Sequence, residues 1–112
     1  MSKALTNVEI DTIIDKAFEK ASEAGRNWMS KYGDRDACGF AWVNVKPGTS
    51  RIARRLKARD LGRTDSYYGG VTVWMPGRAP VQAMGAHEAA ALAFEKVLTE
   101  AGFTANMMSR MD

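Results

Sequence analysis

Residues 39–63, GFAWVNVKPGTSRIARRLKARDLGR, contain a strand, a turn and a helix in succession, and this stretch decides the fold. Side chains alternate strictly along 39–46, which predicts a β-strand whose two faces differ. The Pro-Gly dipeptide that follows predicts a turn. We expect Thr49 or Ser50 to cap a short helix over 51–60.

Upstream of this stretch, apolar residues recur at helical spacing and predict a long amphipathic helix over 7–32. Thr6 and Glu9 have the spacing of a capping box, which fixes where the helix begins. The charges along this helix balance, so its outer face is expected to be solvated.

Downstream, the pattern predicts two strands, over 70–75 and 81–84, joined as a hairpin by a turn that contains proline and glycine. A helix over 86–102 follows, and Gly102 suits its C-terminal end. The tail over 103–111 alternates again and predicts a last strand.

The order after the first helix is therefore β-α-β-β-α-β. This order predicts an α+β fold of the ferredoxin-like type, a four-stranded antiparallel sheet with helices packed on it. At 112 residues the chain is expected to be one domain. Residues 1–37 would form the N-terminal helix and a loop, and residues 38–112 the α+β core.

Composition sets further bounds on the class of protein. Hydrophobic residues make up 46% of the chain and charged residues 26%, which is typical of a folded domain. One cysteine excludes an internal disulfide framework and a cysteine-rich zinc site. No apolar run approaches the roughly 20 residues of a membrane span, and the N-terminus lacks the pattern of a signal peptide. We therefore expect a cytoplasmic protein.

Positive charge is concentrated in residues 46–63. This segment holds seven of the 16 basic residues and one acid, Asp60, so it carries +6 while the whole chain carries +3. A helix start offers free N–H groups to an anion, and arginine binds phosphate oxygens in pairs. The predicted anion-binding residues are Thr49, Ser50, Arg51, Arg54, Arg55 and Arg59. A solvated amphipathic helix is the alternative interpretation of the same segment.

Aromatic residues flank the basic segment and could stack on a planar ligand. Tyr67 and Tyr68 precede two glycines, a loop that permits close backbone approach. Trp42 and Trp74 lie on predicted strands. We predict these four residues as stacking residues, while a turn packed by ordinary aromatics remains the alternative for the tyrosines.

Strand alternation places Phe40, Trp42 and Trp74 on one face of the predicted sheet, opposite the valines. Such an aromatic patch is rarely left open on a monomer, so something is expected to cover it. Three coverings remain open: the N-terminal helix, a second copy of the chain, or a stacked planar ligand.

The predicted element order is shared with RNA-recognition modules, which stack bases on aromatic residues of their first and third strands. Here Phe40 and Trp42 lie on the first predicted strand, but Trp74 lies on the second. The sequence also lacks the aromatic-rich signature of those modules. Both differences argue against ordinary RNA recognition on this face.

Three segments, CGFAWVNVKPGTSR (38–51), DSYYGGVTVWMPG (65–77) and SRMD (109–112), resemble small proteins encoded by tailed phages. The resemblance covers residues 38–112. It implies an accessory, host-directed or nucleic-acid-related role, and it brings no catalytic residue with it.

No acid–base pair, nucleophile or metal-ligand spacing stands out, so the sequence predicts neither catalysis nor a metal or cofactor. We predict a small non-enzymatic protein that binds a nucleic acid or a nucleotide through the start of the basic helix. The alternative is a protein–protein module or inhibitor that acts on an acidic host protein. In either case the chain could work as a homodimer.

Overall fold

The computed structural model describes residues 5–34, 37–78 and 83–111. It confirms an α+β fold with a long N-terminal helix and an antiparallel sheet. In chain order the elements are α1 (Asn7–Tyr32), β1 (Gly39–Lys46), α2 (Arg51–Ala58), β2 (Arg63–Thr64), β3 (Val71–Trp74), α3 (Met84–Glu100) and β4 (Thr104–Met111).

Within the described residues the sheet has four strands in the order β2-β3-β1-β4, and every neighbouring pair is antiparallel. The long strand β1 is central. Val43 lies opposite Val73 on one side and opposite Met107 on the other. Since directly opposed residues share a face, this register fixes the face of every other strand residue.

The second strand in chain order is Arg63–Thr64, in a stretch for which the sequence pattern predicts no strand. Two polar residues carry no strand pattern of their own. They pair because the chain folds back on itself beyond them, where the Asp65 N–H donates to the Gly70 carbonyl at 3.0 Å. The predicted strand over 70–75 is therefore the third strand.

The predicted strand over 81–84 is wrong where it can be compared. Met84 begins α3, and Ala83 forms only an isolated bridge with Cys38. Residues 81–82 lie outside the described residues. The alanine-rich sequence after Met84 favours a helix. A run of four residues, 81–84, is too short for its pattern to distinguish a strand from a helix.

The start of α1 is as predicted. The Glu9 N–H donates to Thr6 Oγ1 at 3.1 Å, and the Thr6 N–H donates to Glu9 Oε1 at 2.9 Å, which completes the capping box. Helix α1 packs along α3 and also contacts α2. Ala17 and Ala21 of α1 are buried, as are several alanines of α3, and small side chains let the two helices approach closely.

Buried residues of all three helices share one core with the valines of β1 and β3, so the helices lie on one side of the sheet. The expectation that α1 could cover the aromatic face is wrong. Its apolar stripe is used against α3 instead. The main core lies between helices and sheet, and Phe94 of α3 is fully buried there, with its ring 4.9 Å from the ring of Phe18 in an edge-to-face contact. None of the described helices combines the length and apolarity needed to cross a membrane.

The outer edge of β4 is partly occupied by two acidic side chains of α3. The Met107 N–H donates to the carboxylate of Glu95, and Ser109 Oγ donates to Glu88 Oε2 at 2.6 Å. A free strand edge normally presents a row of unpaired backbone groups. Here α3 reaches over that edge.

Candidate functional site

The start of α2 is occupied by contacts within the protein. Ser50 is the N-cap residue, and its Oγ accepts the Ala53 N–H at 3.3 Å. Arg51 donates to the carbonyl of Leu5 and, at 2.7 Å, to Asn7 Oδ1. Two of the predicted anion-binding residues are thus bonded inside the fold.

Arg55 makes a two-pronged ion pair with α1. Its Nε lies 3.0 Å from Asp11 Oδ1 and its Nη2 lies 2.7 Å from Asp11 Oδ2. This hydrogen bonding holds the pKa of Asp11 below its usual value and raises the pKa of Arg55. Arg59 continues the row, with Nη2 2.8 Å from Asp15 Oδ1. These arginines attach α2 to α1.

The predicted anion-binding set is therefore divided by the helix. Arg51, Arg55 and Arg59 are four residues apart and face α1, where Asp11 and Asp15 have the same spacing. Thr49 and Arg54 are exposed instead, and neither side chain bonds to another described residue. The matched spacing of arginines and aspartates was visible in the sequence and indicates a helix–helix contact.

On the side of the sheet away from the helices, three aromatic rings form one cluster. The rings of Trp42 and Trp74 stack at 5.3 Å and 19°, and Phe40 lies 5.5 Å from Trp74. The Trp74 side chain is 52% exposed. No described element packs over these rings, so the sheet presents an aromatic platform.

We call this side the open face. Its strand residues share the alternation of Trp42 and its register partners. They are Phe40, Trp42, Asn44, Lys46, Arg63, Thr72, Trp74, Thr104, Asn106, Met108 and Arg110.

Three cations belong to the open face. Arg110 is opposite Phe40 in the register, and its guanidinium carbon lies 5.8 Å from the centre of that ring. Lys46 is opposite Thr104, and Arg63 is opposite Thr72. None of these cations forms an ion pair with another described residue, and no strand residue of the open face is acidic. The strands of this face therefore combine aromatic rings with positive charge, while the acidic Asp65 of the adjoining loop lies within electrostatic reach of Lys46.

A hydrogen-bonded network closes one end of the open face. Asn44 is only 2% exposed, and its Nδ2 donates to the Gly69 carbonyl at 2.8 Å. Thr72 Oγ1 donates to Asp65 Oδ2 at 2.7 Å. Because a buried amide is costly without partners, these bonds tie the loop over 65–70 to the sheet.

Asp65 organises that loop. Its Oδ1 accepts the backbone N–H groups of Tyr68 at 2.8 Å and Tyr67 at 2.9 Å. The bond from the Tyr68 N–H, followed by that from Thr72, holds the pKa of Asp65 below its ordinary value. Gly70 has φ 70°, and a Cβ there would lie 2.3 Å from the Val45 carbonyl oxygen, so the tight approach requires glycine.

The two predicted stacking tyrosines are presented by this loop. Tyr67 is 84% exposed and Tyr68 is 44% exposed, and their rings meet at 4.6 Å. The loop is attached to the open face through Asn44 and Thr72. All four predicted stacking residues thus lie on the open face or on the loop joined to it.

Sequence reasoning missed Lys46, Arg63 and Arg110 as members of the site. Two of them could have been predicted from strand alternation. Lys46 is four residues from Trp42 on β1, and Arg110 is two residues from Met108 on β4, so each lies on the same face as its neighbour. For Arg63 there was no such signal, because its strand could not be identified from two polar residues. The charges of the basic helix are close together in sequence, whereas those of the open face come together only when the strands pair.

Comparison with protein-family models, with curated proteins and with solved structures gives no match. From the sequence, Trp74 is assigned to the second predicted strand, which differs from the pattern of RNA-recognition modules. In the structure Trp74 lies on the third strand, so Phe40, Trp42 and Trp74 occupy the first and third strands, which are adjacent.

Proposed function

We propose that the protein is a non-enzymatic binding protein that holds a single-stranded nucleic acid on its open face. The observation that carries this proposal is the ring cluster of Phe40, Trp42 and Trp74 beside Lys46, Arg63 and Arg110, with no acidic strand residue on the same face.

Single strands suit such a surface for two physical reasons. Every base has an aromatic face, and stacking on a protein ring contributes about 1–3 kcal/mol per base. The phosphates between stacked bases are attracted by nearby cations, and their neutralisation releases counterions. A duplex hides its base faces, so the platform favours unpaired strands over duplexes.

Nucleic acid is also the partner predicted from the sequence, but the proposed binding site is the open face and not the start of the basic helix. Arg51 and Arg55 of α2, and Arg59 directly after it, are bonded to α1, and α2 lies behind the sheet. The start of α2 is therefore not the centre of the proposed site. Arg54 and Thr49 remain exposed, and Arg54 adds to the charge of the protein as a whole. A nucleic-acid-related role also agrees with the resemblance to small phage proteins, which remains a resemblance.

The test measures fluorescence polarisation of labelled ten-residue oligouridine and oligothymidine at several salt concentrations. If the three cations each neutralise one phosphate, the logarithm of the affinity falls with the logarithm of salt at a slope of about −2. Trp42→Ala is expected to weaken binding by about fivefold or more, because one stacking surface is lost. Leu92→Ala, an exposed residue of α3, serves as the matched control and should leave affinity unchanged.

Salt-independent binding, or equal affinity in Trp42→Ala and Leu92→Ala, would overturn the proposal. Light scattering supplies the competing outcome. If the protein has twice the mass of the chain, if Trp42→Ala returns it to a monomer, and if no oligonucleotide binds, the open face serves self-association instead. Binding of an acidic host protein without any nucleic acid would favour the inhibitor alternative.

We further propose that the core is a split βαβ, or ferredoxin-like, arrangement. Support comes from the order β2-β3-β1-β4, in which β3 separates β1 from β2 and β1 separates β3 from β4. Each βαβ unit is thereby divided by a strand of the other. Cross-strand α-proton contacts by NMR should join β1 to both β3 and β4, and contacts between β1 and β2 would contradict this topology.

A further inference from the structure

Beside the ring cluster, where β2 stops short, the open face continues into a depression of about 500 Å³. This volume is within the range of small-ligand sites. Trp74 forms one wall of it, whereas Trp42 lies on the other side of the Trp74 ring. Residues that line the depression include Asp60, Arg63, Asp65, Thr72 and Trp74.

The backbone of Trp74 lacks a strand partner at this depression. Thr72 pairs with Arg63 of β2. Trp74 is two residues further along β3, so its backbone N–H and carbonyl point to the same side of the strand as those of Thr72. The partner at that place would be Leu61, but the chain has turned away there, and the Leu61 N–H bonds to Leu56 instead. No hydrogen bond joins the Trp74 backbone to a described residue on this side.

The side chains at the depression supply both donors and an acceptor. Asp65 is already bonded to Tyr67, Tyr68 and Thr72. The carboxylate of Asp60 bonds to no other described residue and is therefore the available acceptor. Arg63 brings guanidinium donors to the same place, and its backbone pairing with Thr72 fixes where its side chain begins.

This arrangement matches one base better than the others. Guanine offers the acceptors O6 and N7 on one edge, which suit Arg63 and the Trp74 N–H. Its N1–H and exocyclic amine are neighbouring donors that suit a carboxylate, while adenine has no such pair of donors. The ring of Trp74 gives the base a surface on which to stack.

Building on the proposed function, we infer that the depression is a guanine pocket for one nucleotide of the strand that crosses the open face. A guanine there would extend the stack of Trp42 and Trp74, and its phosphate would lie toward the cations of the face. The remaining bases would be held by stacking alone, without sequence preference.

The probes are GMP, AMP and UMP, titrated into ¹⁵N-labelled protein and followed by NMR. GMP should shift the Trp74 backbone amide and bind about tenfold more tightly than AMP or UMP, as expected for one base-specific contact. The indole signal of Trp28, on α1, serves as the internal control and should not move.

Asp60→Asn is the decisive variant, because asparagine tolerates the positive φ of 57° at this position. It should remove the preference for GMP over AMP while the protein still binds oligouridine, since that probe contains no guanine. Glu100→Gln, at the end of α3, is the matched control and should keep the preference.

The two proposals fail separately. Equal affinity for GMP and AMP in a protein that binds oligouridine would overturn the guanine pocket and leave the nucleic-acid platform intact. Persistence of the GMP preference in Asp60→Asn would also overturn the pocket as assigned. Absence of binding to every oligonucleotide and nucleotide would overturn both.

Discussion

The two faces of the sheet are built from alternate residues of the same strands, yet they have different chemistry. Val73 is 1% exposed under the helices, while its neighbour Trp74 is 52% exposed on the open face. The same contrast separates Val43 from Trp42 on β1. Aliphatic side chains are enclosed by helices rich in alanine, and large rings remain available on the opposite side. Neighbouring residues of one strand thus belong in turn to the buried core and to an exposed aromatic surface.

Energetics support this separation. Burying an aliphatic side chain fully contributes about 1.5–3 kcal/mol, and the helix-covered face takes that gain at each valine. On the open face, Trp74 stays half exposed, so its ring contributes less burial free energy to folding. Exposed aromatic patches of this kind mark interaction surfaces on soluble proteins. A partner that covers the rings would recover the burial that folding leaves unused.

The strongest way to break the helix-covered face is Phe94→Ala. Phe94 is fully buried and contacts Phe18, so its removal leaves a cavity and should lower the free energy of unfolding by about 3–5 kcal/mol. Urea denaturation followed by circular dichroism measures this. A loss below about 1 kcal/mol would contradict the position assigned to Phe94 at the centre of the core.

The sharpest comparison is a pair of adjacent substitutions on β3. Val73→Ala should lower the free energy of unfolding by roughly 2 kcal/mol and leave oligonucleotide affinity unchanged in the folded protein. Trp74→Ala should do the reverse, weakening oligonucleotide binding by about 1–3 kcal/mol with a smaller loss of stability. Each variant is the control for the other. Equal effects of both on affinity would contradict the division of roles between the faces.

The loop beside the open face should respond to acid. The folded-state pKa of Asp65 lies below its ordinary value of 3.8. Its contribution to stability is therefore fully present above that value and is lost as pH falls through the lower, folded-state pKa. Urea midpoints measured from about pH 6 down to about pH 2 should fall less steeply with acid in Asp65→Asn than in the wild type. Identical slopes would show that Asp65 does not organise the loop.

The smallest expected effect separates two neighbouring arginines of α2. Arg55→Ala should reduce the urea midpoint modestly, because a two-pronged bond to Asp11 is lost, while Arg54→Ala should leave it unchanged. Both should alter oligonucleotide affinity less than Trp74→Ala does. A larger loss of affinity in Arg54→Ala than in Trp74→Ala would return the binding site to the basic helix.

Much of the fold follows from local patterns in the sequence. The capping box at Thr6, the alternation along β1 and the glycine at 102 each depend on neighbouring residues, and each is found as predicted. Alternation also assigned the aromatic and aliphatic residues to opposite faces. These features need no knowledge of which element packs on which.

Other features depend on tertiary contacts and could not be predicted in the same way. β2 exists because a hydrogen-bonded turn brings Arg63 and Thr64 beside β3, and two polar residues carry no signal of it. The position of α1 was decided by its fit to α3. An apolar stripe shows that a helix has a partner without showing which one.

The acidic side chains of α3 at the outer edge of β4 have a consequence for assembly. An eight-residue strand at the margin of a sheet could recruit an identical strand and propagate into a fibre. Glu95 occupies the Met107 N–H, and Glu88 places a second carboxylate nearby at Ser109. Two copies meeting edge to edge would bring these negative charges together. The β4 edge can thus resist pairing with another chain while the aromatic surface beside it stays exposed.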